Sequence, residues 1–269
     1  MSKSKRKSRG RKEVLADEPR CIYCSNKPDS LEHMPPRIMF QGKQRPSGME
    51  FASCHACNHG TSAADSVAAY FAKLDKASFD DDWKYKEAEA QRGLLNAIAP
   101  GFLDELYDPT TATKTVLPTS GGILVPQLVI TANGPLTRAY LKVFGAKMGM
   151  ALYREHVGEA LPLEGEVFVT WSLNVGFRPE ISETILDALP WLDRLEQGEK
   201  TSHGQFDCRF KTDRKTIVIA QSSFHAGLNI LSIASSIPGR FSLSLPLTRG
   251  GRVRPGELLS SMPGADRAI

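Results

Sequence analysis

Two short runs concentrate the residues of this chain that could bind a metal or move a proton. The first begins with Cys21-Ile22-Tyr23-Cys24 and continues to Leu31-Glu32-His33-Met34-Pro35-Pro36. The second is Cys54-His55-Ala56-Cys57-Asn58-His59-Gly60. A Cys-x-x-Cys turn presents two thiolates to one ion with little strain, and zinc takes four such ligands at tetrahedral positions. Two of these turns flanking one segment predict a structural zinc site on Cys21, Cys24, Cys54 and Cys57. A site of this kind is closed, so its zinc is not expected to do chemistry. Glu32, Asn58 and, in reserve, His59 are oxygen and nitrogen donors that suit a second divalent ion still carrying several waters. His33 is a base that can take a proton from water. Zinc shared between the turns would bring Glu32 and His33 within reach of Asn58 and His59.

The elements that must position these residues follow from composition. Residues 20–65 are rich in Cys, His, Pro and Gly and too polar to fold around an apolar core, which is the make-up of a metal-stapled module. Ahead of them, residues 1–19 read as a disordered basic arm. Residues 1–12 hold seven Lys or Arg and no acid, although the whole chain of 269 residues sums to only +4. Such an arm is drawn to polyanions and releases counterions on phosphate. Residues 66–110 read as a helical connector. Asp65 is placed to cap a helix carrying Val67, Tyr70, Phe71 and Leu74 on one stripe, and a second helix over Trp83–Ala97 stops before Pro100-Gly101.

Residues 111–269 read as an α+β domain. Strand-like runs fall at Ile123–Thr131, Glu166–Val175, Gln205–Lys211, Thr216–Ser222, Leu228–Ala234 and Phe241–Leu245, with a hairpin turning at Thr212–Arg214. A long helix over Leu136–Val157 puts Tyr140, Phe144, Met148, Ala151 and Leu152 on one side, and a shorter one is expected near Ile181–Leu195. The expected fold class is therefore α+β: a small zinc-stapled unit, then helices, then a mostly antiparallel sheet. No apolar run approaches the roughly 20 residues that span a bilayer, so no membrane association is expected. The basic N-terminus is followed by no apolar segment, which argues against a secretory signal and for the cytoplasm. Cys208 reads as a small buried hydrophobe. His156, His203 and His225 have no neighbours that would build a second site, and Ser222 and Ser223 lie in no G-x-S-x-G elbow.

Taken together, CIYC…LEHMPP…CHACN resembles the HNH (ββα-metal) endonuclease superfamily in its four-cysteine branch, over about residues 20–65. The resemblance implies a ββα-metal module that hydrolyses the phosphodiester bonds of DNA to 5′-phosphate and 3′-hydroxyl ends. It implies His33 as the general base, and Glu32 and Asn58, with His59 in reserve, on a catalytic Mg²⁺ or Mn²⁺. An HNH module joined to an unrelated domain also resembles effectors of bacterial restriction and anti-phage systems. The C-terminal domain would then recognise a protein partner, a ligand or nucleic acid. The chain departs from the family pattern where RIMFQGK follows the prolines in place of a common Gly-Gly, and at two further places. Glu50 or Phe51 stands where many relatives have an Asn ahead of the second Cys-x-x-Cys, and Thr61 stands where many have a Lys. These departures support a second reading, a catalytically inactive zinc-stapled module that binds nucleic acid.

Overall fold

The basic run gives way to packed structure sooner than the sequence suggests. The computed structural model describes residues 10–42, 45–74, 82–118, 122–129, 132–173, 195–240 and 250–264. Helix α1 (Arg11–Ala16) buries Val14, and Glu18 just beyond it pairs with Arg154. Residues 10–19 are thus packed on the body of the protein and are not part of a disordered arm. A buried apolar side chain and a partnered carboxylate outweigh the neighbouring like charges. Residues 1–9 of the expected arm lie outside the described residues.

Strands β1 (Ser30–His33) and β2 (Glu50–Ser53) pair antiparallel, with Ser30 across from Ser53 and His33 across from Glu50. A single 3-10 turn at Arg37–Met39 lies between them. Helix α2 (His55–Gly60) follows β2 directly and leads into α3 (Ser62–Lys73), α4 (Asp82–Ile98) and α5 (Phe102–Leu106). Val67, Tyr70 and Phe71 are buried as their spacing predicts. Asp65 is not a cap. Helix α3 begins at Ser62, and the Asp65 carboxylate turns inward onto Lys147.

A separate hairpin, β3 (Thr113–Pro118) and β4 (Leu124–Val129), precedes the long helix α6 (Pro135–Val157). Pro135 opens α6, where its fixed φ is helical and its missing N–H costs nothing. The Glu105 carboxylate from α5 accepts from Leu136 N at 2.7 Å and Thr137 N at 2.8 Å, placing negative charge on the positive end of the helix. Gly158, at φ 97°, closes the other end in the left-handed conformation. Between these ends α6 is buried on nearly all sides from Thr137 to Tyr153, because α3 covers one flank and a sheet the other.

That sheet contains β5 (Glu166–Leu173), β6 (Glu196–Gln197), β7 (Phe206–Thr212), β8 (Ile217–Phe224), β9 (Leu228–Ser235) and β10 (Gly251–Val253). Its order is β10-β5-β9-β8-β7-β6, and every neighbouring pair is antiparallel. The strands expected from about 123 to 131, 166 to 175, 205 to 211, 216 to 222 and 228 to 234 all appear, with residues 130, 131, 174 and 175 outside the described residues and the other ends within two residues of those expected. The helix expected at Ile181–Leu195 falls outside the described residues save for Leu195, and the strand at Phe241–Leu245 falls wholly outside them. One apolar core runs through the molecule: Ile22, Tyr23, Met34, Met39 and Phe51 share it with α3, α6 and the sheet. The segment between the cysteine pairs thus has buried apolar side chains after all, but it packs them against the rest of the chain. Among the described residues, no helix is long and apolar enough to cross a membrane.

Close contact between α6 and the sheet depends on two glycines. A Cβ at Gly145 would meet Val169 Cγ1 at 2.2 Å, and one at Gly149 would meet Val167 Cγ1 at 2.5 Å. The facing atoms belong to β-branched side chains on a strand and have little room to yield. Gly145→Ala is expected to lower the unfolding free energy by about 1–3 kcal/mol, despite the better helix propensity of alanine. Urea denaturation measures this, and an unchanged midpoint would show that helix and sheet slide apart freely.

Candidate functional site

The two Cys-x-x-Cys turns are shaped by their own backbone. Cys21 N donates to Asn26 O at 2.8 Å, and Tyr23 N points at Cys21 Sγ at 3.3 Å. On the other side Cys54 sits at the N-cap of α2, and its sulfur accepts from Cys57 N at 3.4 Å. The four sulfurs converge. All lie within 4.8 Å of one another, and Cys24 Sγ is 3.6 Å from both Cys54 Sγ and Cys57 Sγ. Four sulfurs at about 2.3 Å from one zinc ion stand about 3.8 Å apart along the edges of a tetrahedron, so this donor set fits zinc. Burial and proximity set these thiols against one another. The hydrogen bond from Cys57 pulls the Cys21 thiol down to about 5, while burial pushes Cys24 up to about 11. A dication that neutralises thiolate charge removes the conflict among these buried thiols.

The staple holds α2 against β1. Asn58 Nδ2 donates to Ser30 Oγ at 2.8 Å and to Leu31 O at 3.2 Å, and Asp29 Oδ1 accepts from His55 N at 2.6 Å. Asn58 therefore reaches the strand that carries Glu32 and His33, as the sequence suggests. The carboxylate and the imidazole, however, part company. They are consecutive on a regular strand, so they project from opposite faces.

Glu32, on the face shared with Ser30, turns into the interior and is only 3% exposed. Its Oε1 accepts from His33 N at 3.0 Å, and its Oε2 lies 3.4 Å from Lys147 Nζ. Lys147 also donates to Asp65 Oδ1 at 2.8 Å and Oδ2 at 2.6 Å. Burial pushes Glu32 up to about 7 against the pull of Lys147. Burial works against the charge on Lys147 as well, but Asp65 and Glu32 outweigh it and hold this lysine above its ordinary range.

His33 faces the other way, across from Glu50. His33 Nδ1 stands 3.9 Å from Glu50 Oε1, beyond a direct hydrogen bond. Arg45 pairs with the same Glu50 oxygen and donates to Met49 O at 3.2 Å, while Arg37 is exposed nearby. Burial, then Arg45 and Arg37, press His33 down to about 4, so its imidazole is neutral at neutral pH. The loop between His33 and Glu50 is gripped from outside the module. Lys73 Nζ donates to Ile38 O at 2.8 Å, and His225 Nε2 lies 2.8 Å from Met39 O.

His59 stacks on His55 with ring centroids 4.1 Å apart. Both line an open polar cleft of about 410 Å³ with Arg11, Asp29, Ser30 and Leu31. Glu32 is thus engaged by Lys147, Asn58 by Ser30 and Leu31 O, and His59 lies at the cleft. As arranged they do not fit a shared catalytic Mg²⁺ or Mn²⁺. Among the described residues the four cysteines are the one convergent group of His, Cys, Asp or Glu with metal-binding geometry. Sequence reasoning missed Lys147 altogether, since one lysine on a helix normally marks the wet face. Glu50 stood out only as a departure from the family pattern, and its meeting with His33 and Arg45 depends on strand register.

No family model matches this chain, and no curated protein or solved structure is significantly similar to it. Functional inference therefore rests on these contacts and the motif. Purified protein is expected to carry about one zinc per chain, and Cys57→Ser to lose it. Elemental analysis with thiol titration measures both, and all five cysteines titrating in folded protein with no metal present would refute the site.

Proposed function

We propose that the zinc-stapled hairpin and helix form an HNH-type phosphodiesterase that acts on nucleic acid, DNA first, with His33 as its base. The observation that carries this proposal is the setting of His33. It is partly exposed, at 22% of its side chain, with Glu50 behind it and Arg37 and Arg45 beside it. A neutral imidazole can take the proton of an attacking water, and Glu50 is the neighbour that favours the resulting imidazolium, against burial, Arg45 and Arg37. Exposed Arg37 is suited to meet the negative charge that builds on the phosphate. The basic residues 3–12 add sequence-independent attraction to the backbone of the same substrate.

One observation favours a second reading. Glu32, which the family resemblance makes a metal ligand, is already paired with Lys147. A module in that condition suits binding without hydrolysis. The two readings part in one experiment. Wild-type protein is expected to nick supercoiled plasmid in Mg²⁺ or Mn²⁺, and His33→Ala to lower the rate by about 10²–10⁴-fold with zinc content unchanged. Salt-sensitive DNA binding that survives in His33→Ala, with no cleavage by wild type in either metal, would establish the binding module instead.

A further inference from the structure

Two carboxylates meet one ammonium where β1, α3 and α6 come together. Lys147 Nζ lies 2.6 Å from Asp65 Oδ2 and 3.4 Å from Glu32 Oε2. Lys147 is fully buried, and Glu32 and Asp65 are nearly so. The hydroxyl of Tyr23, also buried, has no hydrogen-bond partner, and its ring centroid lies 5.8 Å from the same ammonium. Carboxylates at this depth require a positive partner, and Lys147 supplies it. A divalent ion on Glu32 would set two more positive charges within a few ångströms of that ammonium, where little water screens the repulsion. Glu32 can serve one cation or the other.

We infer that Lys147 is the resident cation of Glu32 and Asp65, and that it keeps this carboxylate pair from taking up a divalent metal while α6 is docked. Three elements are joined by this contact: the hairpin through Glu32, α3 through Asp65 and α6 through Lys147. The residue that decides whether Glu32 is a metal ligand is thus carried by a helix distant in sequence from the motif. This inference stands apart from catalysis at His33 and holds whether or not the chain cleaves DNA.

The test is a Mn²⁺ titration of zinc-loaded, full-length protein, followed by calorimetry and by the paramagnetic resonance signal of free Mn²⁺. Wild type and Glu32→Gln are expected to respond alike, with no site that depends on Glu32. Lys147→Met leaves two carboxylates without a counter-charge. It is expected to gain one Mn²⁺ site, which adding Glu32→Gln weakens by about tenfold or more. A wild-type Mn²⁺ site that Glu32→Gln weakens to that degree would overturn the inference. So would Lys147→Met protein with unaltered zinc content and near-ultraviolet dichroism that gains no site. If Lys147→Met does not fold, the comparison of wild type with Glu32→Gln still decides. Plasmid nicking is scored separately. Loss of His33-dependent cleavage as a finding leaves Lys147 in place, and a Glu32-dependent site in wild type leaves the phosphodiesterase proposal standing.

Discussion

Convergence of four sulfurs on one point is the constraint from which the N-terminal half takes its form. The two turns that bear them are far apart in sequence, yet Cys24 Sγ and Cys54 Sγ come within 3.6 Å. Without an ion, four buried thiols would offer little to offset the entropy of closing the intervening loop. With zinc bound the balance changes. Structural zinc contributes about 10–16 kcal/mol in small zinc-dependent folds, as much as the whole net stability of an ordinary domain. The hairpin, the position of α2 and the reach of Asn58 to Leu31 O all follow once the ends are pinned.

What could be read from the sequence and what could not divide along a physical line. The cysteine cluster was legible because ligand spacing within each turn is local and the chemistry of zinc demands a second turn. Helix α6 was legible because an apolar pattern over more than six turns has no competing interpretation, and Pro135 and Gly158 mark its ends. Strands β4, β5, β7, β8 and β9 were legible through alternation and turn residues, whereas β3, β6 and β10 were not. Lys147 was not. Its meaning lies in two carboxylates supplied by β1 and α3, and no local pattern carries that information. Asp65 was misread as a cap because the same residue type suits a helix start and a buried ion pair. Residues 10–19 were misread because net charge dominates a short window, whereas their anchors, Val14 in the core and Glu18 on Arg154, are tertiary.

Strand geometry explains why adjacent residues of the motif end in different places. In β1, side chains alternate, so Ser30 and Glu32 face the helices while His33 faces Glu50. A Glu-His dipeptide on a regular strand is thereby split between an interior tie and a partly exposed base. The interior half is electrostatically costly, and Lys147, itself bonded to Asp65, supplies its counter-charge. The exposed half costs less. Burial first, and then the cationic side chains of the loop, keep His33 neutral.

That loop is where the C-terminal half bears on the candidate site. His225, in the turn between β8 and β9, meets Met39 O at 2.8 Å, and Gln205 Oε1 accepts from Gln41 N at 2.8 Å. Lys200 Nζ donates to Gly48 O at 2.5 Å and also pairs with Glu155 at the end of α6. The chain from His33 to Glu50, which includes Arg37 and Arg45, is thus tied at several carbonyl and amide groups to the sheet and to α6. The cysteine cluster fixes only the ends of the β1–β2 unit. The loop between them is held by Lys73 and by contacts contributed from residues 200 to 225. A shift of the sheet against α2 and α3 would have to break these bonds or carry His33, Arg37 and Glu50 with it. The C-terminal domain is therefore a structural part of the site, and removing it would alter the surroundings of His33 even with all four cysteines in place.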